Sequence, residues 1–194
     1  MSAVDTARDL TGEQRAQLEL ASALHRPLAR AANLGRSNAR GYVLFGLLTL
    51  LFATLMGADV VSVAIGAVVT GVGVAQLRAA KRLRAADPAA PRALARNELL
   101  LMVGIAAYAV LKLTLLRDTG EDLQSQIGDA GGLGLDIAEL SSSLNTLVYA
   151  CVLAVTVLYQ GGLALYFLRR RPMLERYLAE VPEWARSTVE SLGN

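Results

Sequence analysis

The sequence predicts an all-α polytopic integral membrane protein with four transmembrane helices arranged as two hairpins. It also predicts cytoplasmic N- and C-termini and an amphipathic cytoplasmic helix at each end. Three observations carry this reading. The run from Gly41 to Leu77 is apolar or small throughout except for one charge, Asp59. Hydrophobic residues make up 54% of the 194 residues and mean hydropathy is +0.40, above the roughly 45–50% apolar content of soluble domains. Basic residues collect in three polar segments and acidic residues in a fourth.

The first segment, residues 1–40, is polar. Thr11 and Gln14 have the capping-box spacing, and a helical pattern follows through Leu20, Leu24 and Leu28. Pro27 is expected to kink this helix or to begin a second one. With Arg26, Arg30, Arg36 and Arg40 repeating towards the apolar run, the segment reads either as an amphipathic helix on anionic lipid head groups or as a helix packed on the protein's own loops.

A single helix over Gly41–Leu77 would be about 55 Å long, against a hydrocarbon core of about 30 Å. The run therefore folds back at Met56-Gly57-Ala58-Asp59, which gives spans at 41–56 and 60–77. The second span carries Ser62, Gly66 and Thr70 at four-residue spacing, with Gly71 beside them. Such small-residue rows bring helix backbones together where lipid supplies no hydrophobic drive, so these four residues are the candidate helix-packing set.

The basic loop 78–96 holds Arg78, Lys81, Arg82, Arg84, Arg92 and Arg96 against Asp87 alone. No aromatic interleaving supports nucleic acid, and no nucleic-acid partner is expected. The third span covers 97–116, with Glu98 near its start and Lys112 near its far end; Lys112 and Asp59 form a candidate outer charge pair. The acidic outer loop 117–144 follows, with Gly128, Gly131, Gly132 and Gly134 as a flexible stretch. Asp136 and Glu139 are a second cap-like start, from which a helix of about 35 residues could run towards Pro172 and cross lipid at 147–168. Gln160-Gly161-Gly162 is its deepest polar and flexible spot: a hinge or pore site, or a place of close packing on the small row. The cytoplasmic tail, 169–194, opens with three arginines and carries Trp184 as an anchor, on the interface or docked onto the basic loop.

Orientation follows from the positive-inside rule. Six arginines precede the first span, six basic residues fill the middle loop and five the tail, whereas the acidic loop has only Arg117. Both ends and the basic loop therefore face the cytoplasm. Arginine far outnumbers lysine and alanine is abundant, a bias associated with GC-rich bacterial genomes, so the expected location is a bacterial inner membrane.

Little in the chain suggests chemistry. His25 is the one histidine, read as a surface residue, and Cys151 the one cysteine. No catalytic, cofactor-binding or metal-binding residues are expected, and Ser141-Ser142-Ser143 has no histidine nearby. Tetraspanins share the four-span layout, but the paired cysteines of their outer loop are missing here; the mid-membrane glutamate of small multidrug transporters is missing from the first span. The expectation is a non-catalytic scaffold or accessory subunit, with homo-oligomerisation or other membrane subunits as partners besides the lipid bilayer. The alternative is a small oligomeric channel or transporter with a glycine-rich outer lid.

Overall fold

The computed structural model describes residues 11–56, 60–115 and 137–192. Every element among them is a helix: α1 (Gly12–Met56), α2 (Val60–Arg84), α3 (Ala90–Leu115), α4 (Ile137–Leu168), α5 (Arg171–Glu180) and α6 (Glu183–Leu192). The first four are long and apolar enough to cross a membrane. Among the described residues the fold is all-helical, and four candidate membrane-spanning helices suggest a multi-pass membrane protein.

α1 begins at the expected cap. The Thr11 amide donates to Gln14 Oε1 at 2.9 Å and the Gln14 amide to Thr11 Oγ1 at 3.3 Å, so two orphan donors of the first turn are satisfied reciprocally. The helix then continues for 45 residues with Pro27 inside it, about 67 Å at 1.5 Å per residue. The expected start of a second helix at Pro27 does not occur. Leu28, Ala31 and Ala32, just beyond the proline, are buried, and their packing holds the helix together across the one backbone bond that proline removes. The polar N-terminal segment and the first span are thus one continuous helix.

α1 and α2 form an antiparallel hairpin. Gly46 faces Gly66 and Thr70, Val43 and Ala39 face Gly73, and Gly35 faces Ala80. Further along, Arg84 donates to Asn33 Oδ1 at 2.6 Å. On α2 the buried residues include Gly66, Val69, Gly73, Gln76, Ala80 and Leu83. On α1 they include Leu28, Ala32, Gly35, Ala39, Gly46 and Ala53. Both sets advance by alternating steps of three and four or by sevens, the 3.5-residue period that keeps one seam facing a partner helix. Within the apolar stretches hydroxyls bond back to their own helix: Thr49 to Phe45 O, Thr54 to Leu50 O and Thr70 to Gly66 O, at 2.7–2.9 Å. In lipid that satisfies a group that would otherwise be costly.

α2 ends in a Schellman turn. The Asp87 amide reaches Arg82 O at 3.0 Å and the Ala86 amide reaches Leu83 O at 3.2 Å. Ala86 takes the left-handed conformation, φ 53°, where glycine is the usual occupant. Asp87 Oδ1 then accepts from the Ala89 amide at 2.8 Å and α3 starts at Ala90. Pro91 lies in the first turn of α3, where its missing amide costs nothing; it starts this helix seven residues ahead of the expected span.

The chain divides into two compact units, one comprising residues 1–97 and 164–194, the other 98–163. In the first, α5 and α6 pack on α1, and its core contains Leu28, Leu83, Leu94, Phe167, Leu174 and Tyr177, each at most 2% exposed. In the second, Tyr108 on α3 meets Tyr149 on α4 edge to face, with ring centroids 6.3 Å apart. Exposed large apolar side chains concentrate in the spans, among them Leu44, Phe45, Leu48, Leu51 and Phe52 on α1 and Leu147, Val155 and Leu158 on α4. A surface of that kind belongs in lipid.

Candidate functional site

Gly35 is the point where four helices converge. A Cβ built there would lie 3.2 Å from Leu94 Cδ2 on α3, 3.5 Å from Ala80 Cβ on α2 and 3.6 Å from Phe167 Cζ on α4. The glycine lets α1 approach all three at once. Leu94, Ala80 and Phe167 are each 0% exposed, so the contact excludes water as well as lipid.

Towards the amino terminus of α1 the tail takes over as partner. Tyr177 on α5 is fully buried, and its ring lies 5.9 Å from that of His25, tilted by 42°. His25 is therefore half-buried against the tail rather than a plain surface residue. Leu174, Val181 and Ala185 complete the buried face of α5 and α6. On α1 itself Ala21, Leu28, Ala31 and Ala32 are buried, whereas Leu20 and Leu34 stay exposed. Trp184 remains 39% exposed. Outside this core, Arg176 donates to Glu180 Oε1 at 2.8 Å, a bond that raises the Arg176 pKa; such an exposed pair contributes little stability.

Of the helix-packing set, Gly66 lies against Leu50, a built Cβ falling 2.9 Å from Leu50 Cγ, and Thr70 lies against Gly46. Ser62 is half-buried. Gly71 is exposed, with nothing within 4 Å of a built Cβ. The contact set also contains Gly46 and Gly73, which the four-residue row did not include. Asp59, the side chain of Lys112 and the glycine-rich outer stretch lie outside the described residues.

In the second unit Gln160 is 5% exposed and Thr156, one turn away, 8%. Among the described residues Gln160 Oε1 has no hydrogen-bond partner. Its neighbours are loosely surrounded: a Cβ on Gly161 would meet only Met102 Sδ, at 4.0 Å, and one on Gly162 nothing within 4 Å. Glu98, one turn before Met102 on α3, is fully buried. Among the described residues no three His, Cys, Asp or Glu side chains come together as a metal site. No family model, curated protein or solved structure matches the chain.

Proposed function

We propose that the protein is a non-catalytic scaffold or accessory subunit of a bacterial inner membrane, with both termini and the basic loop in the cytoplasm. The observation that carries this reading is the unbroken length of α1. At about 67 Å it is more than twice the thickness of the hydrocarbon core, so it extends well past the bilayer as a rigid post. The convergence at Gly35 fixes that post at its base, and the tail helices clasp its outer part. Such an arrangement would hold a partner at a set place beside the membrane. Lipid, other membrane subunits and further copies of the chain are the partners this reading supplies.

The second reading, a small oligomeric channel or transporter, is favoured by Gln160. A buried amide oxygen without a partner costs about 1–3 kcal/mol in a dry site, and water along a path would satisfy it. Oligomeric mass in detergent and single-channel recording in planar bilayers separate the two. The scaffold reading expects a monomer or dimer without currents, and a Gln160→Leu variant of equal or higher thermal stability, because it removes an unsatisfied acceptor. A ring of five or more subunits whose reproducible currents change with Gln160→Leu would establish the channel instead.

A further inference from the structure

The contacts of Gly35 bring four positions to one level: Gly35, Ala80, Leu94 and Phe167. Measured along each helix from that level, exposed basic residues recur within five residues on all four, which is about 7.5 Å at most. They are Arg40 on α1, Arg78, Lys81 and Arg82 on α2, Arg92 and Arg96 on α3, and Arg169 just past the end of α4. Exposed apolar side chains begin close by on the membrane side of each helix, at Leu44, Val74, Leu99 and Leu165. The cations therefore form a ring, at least one to each helix, at the boundary between the apolar and the polar surface, in a band about 10 Å deep that takes in a head-group layer of about 5–7 Å.

Among the described residues none of these seven cations is in an ion pair. The acidic residues in the same stretches do not compensate them. Asp87 is half-buried and occupied with the turn before α3, and Glu98 is fully buried. We infer that this ring is a binding surface for anionic phospholipid head groups, whose phosphates it holds at a single level against four helices. Guanidinium groups suit the role because their planar fork matches a phosphate bidentately, and their stems lie along apolar surface while the heads reach outward. The inference rests on the membrane-spanning reading of α1–α4 and is independent of the choice between scaffold and channel.

The test uses the full chain, purified and delipidated in a neutral detergent, with phosphatidylglycerol, phosphatidylcholine or inorganic phosphate added at equal phosphorus. Thermal unfolding and native mass spectrometry report stability and retained lipid. The expected result is a raised unfolding midpoint and retained lipid with phosphatidylglycerol alone. The Arg78→Gln, Arg82→Gln, Arg96→Gln and Arg169→Gln combination should weaken that binding by about tenfold or more, whereas Arg176→Gln, outside the ring, should not. Should the combined variant fail to fold, the wild type still decides: raising salt from about 0.1 M to about 1 M shortens the screening length from about 10 Å to about 3 Å and should abolish the lipid-specific shift. Equal effects of both lipids, a salt-insensitive effect, or an equal effect of inorganic phosphate would each overturn the inference. A chain that stays soluble and monodisperse without detergent would overturn the membrane reading itself.

Discussion

Glycine 46 shows how tightly the hairpin depends on the absence of a side chain. A Cβ there would fall 2.7 Å from the Thr70 amide nitrogen and 2.9 Å from Gly66 O. Both are backbone atoms, so no rotamer change can make room and the helices must separate. Gly46→Ala is therefore expected to destabilise the protein by about 1–3 kcal/mol, as overpacking does. Gly71→Ala, into open space, should cost nothing and even favour the helix. Thermal unfolding of both variants in the same detergent checks this; equal midpoints would mean that the seam is not where α1 and α2 meet. Gly66 and Gly71 also show why the seam was only partly legible. Spacing of four residues turns 400° at 100° per residue, so a row read that way drifts about 40° per step off the contact face. Steps alternating between three and four stay on it, which keeps Gly66, Gly73 and Ala80 on the contact face and leaves Gly71 outside.

Among the elements, those set by neighbouring residues were readable and those set by distant ones were not. The Thr11–Gln14 cap is a local device and appears in the structure as its spacing implies. Of the two outcomes expected at Pro27, the start of a second helix is excluded, because α1 runs through it from Gly12 to Met56. His25 read as a surface residue because its ring partner, Tyr177, lies about 150 residues later in the chain. The clasp itself is open to test. Tyr177 is fully buried against His25, and truncating a large buried aromatic costs about 3–5 kcal/mol. Tyr177→Ala should release α5 and α6 from α1, so that limited trypsin digestion cuts after Arg169, Arg170 or Arg171 much sooner than in the wild type. Trp184→Ala, at a half-open position, should leave the rate nearly unchanged. Similar digestion of both variants would show that the tail is not held by this contact.

For the whole molecule, the notable property is an inverted distribution of packing. Fully buried large side chains such as Leu28, Leu83, Leu94 and Tyr177 lie outside the apolar spans; within the spans Leu101 and Phe167 are buried, but most of the large Leu, Val and Phe side chains are exposed. Hydrophobic burial stabilises the part that meets water, and lipid covers the remainder. Composition and apolar run lengths were sufficient to read the four membrane-crossing helices, because bilayer thickness dictates them directly. The meeting of four helices at Gly35 was not readable, since it joins positions scattered over more than 130 residues. Orientation is the claim on which the cytoplasmic post, the centre of the proposed function, depends. It is tested most directly by single cysteines in a Cys151→Ala background, treated in intact cells with a membrane-impermeant thiol reagent. The account predicts that Ser142→Cys is labelled from outside and Arg84→Cys only after lysis; labelling of Arg84→Cys in intact cells with Ser142→Cys protected would contradict it.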